Sequence, residues 1–187
     1  FSATTFSSKL ILEGPIKKQK ENGGGSSSFL FTYKNSYLDQ SSKALYSYVD
    51  EDGLPFSFQD FYGKVSLNGE NGSKLNLFGF DFSDNALFKD VTEINWKSNG
   101  FGSNFILVPK GSNTLVDGIF AYSQYKSEQT EANEPPRSSS INGFNFGFNF
   151  TNFIKKDEFE MGLEVLGFRT EFIQNSITNI AYEQIEN

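Results

Sequence analysis

Along residues 141–153, "INGFNFGFNFTNF", phenylalanine stands at every second position: Phe144, Phe146, Phe148 and Phe150. Asn145, Gly147, Asn149 and Thr151 fill the gaps. A period of two belongs to a β-strand, whose successive side chains point to opposite faces. One face of this strand is aromatic and the other polar or small. The same alternation runs through "SSFLFTYKNSYL", with Phe29, Phe31, Tyr33, Asn35 and Tyr37 on one parity. It also runs through "EFEMGLEVLGF", where Phe159, Met161, Leu163 and Val165 alternate with Glu160, Gly162 and Glu164. In "KLNLFGFDF", Leu75 and Leu77 give way to Phe78, Phe80 and Phe82, so the parity changes. This predicts a bulge or twist near Phe78.

By this test about eight strands are predicted, near 5–16, 27–38, 58–68, 73–83, 92–108, 113–127, 140–154 and 158–173. Several reach the roughly 9–11 residues that a tilted strand needs to cross a bilayer. "SSKALYSYVDEDG" allows a short helical turn inside a loop. The connections alternate in kind. "KKQKENGGGS", "NGENGS", "PKGSN" and "IKKDE" are tight and rich in Gly, Asn and Lys. "DQSSKALYSYVDEDGLPFS", "SDNALFKDV" and "SEQTEANEPPRSSS" are longer and carry acids, Pro and Tyr. Up-and-down hairpins place alternate connections at opposite ends of a sheet, and short turns at one end with longer loops at the other is the organisation of an outer-membrane barrel.

The expectation is therefore an all-β fold: an antiparallel up-and-down transmembrane β-barrel, with about eight strands of a larger barrel visible. Residues 1–187 form one partial barrel domain, and a plug and the remaining strands lie outside this sequence. Phe144, Phe146, Phe148 and Phe150 are the lipid-facing candidates. Asn145, Asn149, Glu160 and Glu164 are the lumen-facing ones, with Lys34 and Lys64 on the same parity. A soluble β-sandwich with an aromatic core alternates in the same way and stands as the other reading.

Composition narrows the chemistry. The chain of 187 residues has 22 Phe and 17 Gly, no Cys and no His. Disulfides, thiolate chemistry and the usual neutral-pH acid–base group are thus absent. The net charge of −7 opposes nucleic-acid capture. No run of apolar residues is long enough for a membrane-crossing helix. The acids of "DEDG" at 50–53 lack the spacing of a Ca²⁺ loop. "GGGSSS" at 23–28 lacks the ending of a phosphate loop. Glu160 and Glu164, four apart on a strand, are about 13 Å apart by rise, too far for either glycosidase geometry. No catalytic residue, metal site or cofactor is expected, and the chain is not expected to be an enzyme. Tyr46, Tyr48, Asp50 and Asp52, in the longest loop, are the ligand-contact candidates. Lys17, Lys18, Lys20, Lys110, Lys155 and Lys156 gather at the short-turn end.

"FSSKLILEGPIKK…SSSFLFTYKNSYLD" at 6–39 resembles the early barrel of TonB-dependent outer-membrane receptors, of the type carrying a carboxypeptidase-regulatory-like domain before the plug. "LPFSFQDFYGKVSL" at 54–67 and "KLNLFGFDFSDN" at 74–85 resemble the strands that follow. Beyond residue 90 only the hairpin rhythm matches. A TonB box and plug are not seen, and Asn187 is not the aromatic end of a finished barrel. The resemblance implies a protein of a Gram-negative outer membrane that binds and imports a nutrient through a gated, plugged barrel. Its partners would be outer-membrane lipid, TonB through other sequence, and an accessory surface lipoprotein or other outer-membrane subunits. Two alternatives remain: a receptor-like barrel serving as a structural subunit of an outer-membrane complex, and a soluble glycan-binding β-sandwich.

Overall fold

The computed structural model describes residues 1–19, 24–46, 49, 53–132, 134–175 and, for the backbone, 183–186. They form one antiparallel sheet in which each strand pairs with its neighbours in sequence, β1 through β10. Eight strands are long: β2 Ser7–Lys17, β3 Ser26–Ser36, β4 Phe56–Asn68, β5 Lys74–Phe88, β6 Thr92–Leu107, β7 Thr114–Glu131, β8 Arg137–Ile154 and β9 Asp157–Gln174. These are the eight that the alternation predicts. Two short strands, β1 Ser2–Ala3 and β10 Glu183–Glu186, flank them. Among the described residues no ladder joins the two ends of the sheet, so it is open.

Two expectations need correction. β5 pairs residue for residue with β4 and with β6 past Phe78, with no bulge there. The register shift lies between Pro15 and Lys17 of β2 instead. Proline has no N–H for a ladder and is tolerated at such irregular, edge-proximal sites. The second concerns the connections. β5 and β6 are joined by 89–91 alone, and β7 and β8 by 132–136, because the strands run on through polar sequence. Of the three connections 37–55, 89–91 and 132–136, the first alone is long.

That loop opens with helix α1, Leu38–Leu45, which begins before the segment expected to turn. Ser42 ties it down. It is fully buried, and its Oγ accepts the Leu54 N–H at 2.9 Å. Ser42→Ala leaves that N–H unpaired, a loss of about 1–3 kcal/mol where the donor stays buried. Hydrogen exchange at Leu54 is expected to quicken about ten-fold or more, with exchange in β7 unchanged.

The sheet has almost no interior. Ala86 is the sole buried apolar residue among those described. The accessible surface is 13137 Å², whereas a compact protein of this mass exposes about 9,000 Å². Side chains gain contact mainly from their neighbours within the layer. Phenylalanine rings lie over glycines directly across the ladder: Phe78 over Gly102, Phe80 over Gly100, Phe105 over Gly118, Phe168 over Gly143 and Phe144 over Gly167. A ring folded onto bare backbone buries apolar area that a flat sheet would leave open.

Candidate functional site: the two faces of the sheet

Directly paired residues share a face, so the register sorts every side chain. On the face of Phe146, one row reads Gly14, Phe29, Val65, Leu77, Ser103, Phe120, Phe146 and Val165 from β2 to β9. The next row reads Leu12, Phe31, Gly63, Gly79, Phe101, Tyr122, Phe144 and Gly167. Toward the short turns follow the Phe148 row, with Leu67, Leu75, Phe105 and Leu163, and then the Phe150 row, with Leu107, Val116 and Met161. The first two rows are apolar or glycine from β2 to β9 apart from Ser103, the Phe148 row is so from β4 to β9 with Lys17 and Ser27 on β2 and β3, and the Phe150 row from β6 to β9.

The band ends sharply. Two rows above Phe144, the face reads Ser8, Asn35, Gln59, Ser83, Lys97, Lys126, Ser140 and Glu171, polar on all eight strands. The row between is mixed, apolar on β2–β4 through Leu10, Tyr33 and Phe61 and polar from Asp81 onward. Lys97 pairs with Asp81 at 3.6 Å and Lys126 with Glu128 at 2.8 Å. At such exposed sites these pairs contribute little to stability.

The opposite face is that of Asn145. Level with the apolar band it is mixed, with Leu30, Phe78, Ile106, Ile119 and Leu166 standing among polar groups. Ser66 donates to Asn76 at 2.7 Å, and Asn76 to Asn104 at 2.7 Å, a chain across three strands. Asn149 donates to Asp117 at 3.2 Å, and Asn145 to Glu164 at 3.5 Å. Above the band this face becomes aromatic, with Tyr62, Phe80, Phe82, Trp96, Tyr125 and Phe168. Phe80 and Phe82 stack with ring centroids 4.9 Å apart, beside the Lys34–Asp60 pair at 3.6 Å. The parity change in "KLNLFGFDF" is this exchange of faces, made within an unbroken register.

Phe144, Phe146, Phe148 and Phe150 do share one face, and Asn145, Asn149, Glu160 and Glu164 share the other, as do Lys34 and Lys64. Tyr46 stacks on Phe6, centroids 6.2 Å apart at 14°. Tyr48, Asp50 and Asp52 lie outside the described residues. Sequence reasoning missed Asp117, Asn76 and Asn104; their parity on β5–β7 was the available signal. Among the described residues no group of acids is placed to hold a metal ion, and no helix is long and apolar enough to cross a membrane. Lys17, Lys18, Lys110, Lys155 and Lys156 sit at the short-turn end, and Lys20 lies outside the described residues.

Comparison with family models, with curated proteins and with solved structures finds no match.

Proposed function

We propose that this chain is part of the wall of a transmembrane β-barrel in the outer membrane of a Gram-negative bacterium, of the TonB-dependent receptor kind, which binds a nutrient and passes it through a gated lumen. The work is binding and transport and involves no bond chemistry. The observation that carries this reading is the apolar band: two rows deep across β2–β9, deepening to three from β4 and four from β6, and cut off by an all-polar row. Rows on one face are about 7 Å apart along a strand. At a tilt of about 40° four rows span about 16 Å, and with the mixed row about 21 Å, approaching the roughly 25 Å lipid-facing band of outer-membrane barrels.

The Asn145 face suits a wet lumen, since its amide and carboxylate groups need partners that hydrocarbon lacks. The edges point the same way. β2 pairs with β1 only at Ser8 and Lys9, and β9 with β10 only over Glu171–Gln174, among the described residues. The edges beside the apolar band are thus left bare, and in lipid such edges must be closed by further strands. A soluble sandwich suits the sheet less well. Its apolar face would run the length of the strands, whereas here the apolar character changes sides partway up.

The test is extraction of the native polypeptide from the membrane fraction, followed by its intact mass. Release only by detergent, with a mass several times 21.0 kDa, is the expected result. A species of that mass in the aqueous fraction without detergent would overturn the reading.

A further inference from the structure

The apolar face carries one notch that its own side chains do not fill. Gly63 and Gly79 are direct ladder partners on that face. Its other described glycines have a neighbour against them. A Cβ built at Gly14 would lie 3.6 Å from the Phe29 ring, one at Gly118 would lie 2.6 Å from Phe105, and one at Gly167 would run into Phe144. At Gly79 it would lie in ordinary contact with the Gly100 carbonyl oxygen at 3.5 Å and Phe101 Cβ at 3.9 Å, with no ring over it. At Gly63 it would meet nothing within 4 Å. The result is an open groove of about 370 Å³ walled by Phe29, Phe31, Val65 and Leu77.

The groove has a direction. One row above Gly63, Tyr33 and Phe61 close its upper end, with ring centroids 4.7 Å apart, and Tyr33 Oη accepts a hydrogen bond from Gln59 at 3.1 Å. Its lower end is lined by Val65 and Leu77, and the Leu67–Leu75 pair and the short turns follow below on the same face. There Lys17 stands on the same face, opposite Ser27 and about two rows, or roughly 14 Å, below Phe31. Exposed Lys18 follows it. An apolar slot open to the side, with cations at its lower mouth, matches a long hydrocarbon tail under an anionic head.

We propose that the Gly63–Gly79 groove is a binding site for one acyl chain of an anionic glycerophospholipid from the leaflet on the short-turn side, its headgroup held by Lys17 and Lys18. This rests on the membrane reading above. The native polypeptide is reconstituted in bilayers of phosphatidylglycerol, re-extracted in mild detergent and weighed intact by native mass spectrometry. One retained phosphatidylglycerol per chain is expected. Gly63→Leu, which fills the slot, should lower the retained fraction at least ten-fold. Lys17→Glu with Lys18→Glu, a change at the exposed last residue of β2 and the first of the turn, should do the same. Retention by Gly63→Leu or by the double variant equal to that of the parent overturns the proposal. So does equal retention of phosphatidylcholine. In those cases continued dependence on detergent leaves the membrane reading standing. Partition of the parent into water without detergent sinks both.

Discussion

Phe146→Arg is expected to destabilise the folded protein in a bilayer by about 2–4 kcal/mol, the cost of a cation at mid-depth on the lipid face of a barrel. That is roughly a 30- to 700-fold shift toward the unfolded state. The matched changes locate the cause. Asn145→Arg, one residue away on the polar face, and Ser140→Arg, in the all-polar row, should each stay within about 0.5 kcal/mol. Urea-induced unfolding in lipid vesicles, followed by tryptophan emission from Trp96, reads all three. Equal losses at positions 140, 145 and 146 would mean that neither face nor depth matters, and the membrane assignment would fail.

Gly102→Val carries the second large effect. A Cβ at Gly102 would lie 2.7 Å from the Phe120 carbonyl oxygen and 2.7 Å from Phe78 Cζ. The ring can swing aside, but the carbonyl belongs to the neighbouring ladder and cannot. Overpacking of this sort costs about 1–3 kcal/mol where side chains alone must adjust, and the backbone clash places Gly102→Val at about 3 kcal/mol or beyond. Gly63→Val is the counter-case. It has open space above it, and valine suits a strand better than glycine. It should be neutral or stabilising by about 0.5–1 kcal/mol. If both valine variants unfold at the same urea concentration, the ring-over-glycine account of this sheet is wrong.

The long strands were legible because alternation is a local property that each strand writes in its own residues. The exchange of faces was legible only as an anomaly. Sequence showed the aromatics of β5 changing parity at Phe78, and a bulge was the economical explanation. Pairing with β4 and β6 was needed to see that neighbouring strands change sides at the same height. The loop lengths misled because "SEQTE" at the end of β7 and "SSS" at the start of β8 are polar on both parities. A hairpin wet on both faces has no period to read. The Ser66–Asn76–Asn104 chain was illegible for another reason: it joins three strands whose relative register no single strand encodes. The Gly63 notch likewise depends on which residue sits across the ladder.

The strictly sequential strand order also bears on how such a wall is built. Each new strand docks on the one made just before it, so the entropy of loop closure is met in small instalments: five residues at Gly69–Ser73, two at Lys155–Lys156. Assembly can proceed like a zipper from either end. If the sheet closes into the barrel proposed above, the one costly, long-range event is the last, when its outermost strands find their partners, and until then the exposed edges of β2 and β9 are where the growing sheet is most open to capture by the wrong strand.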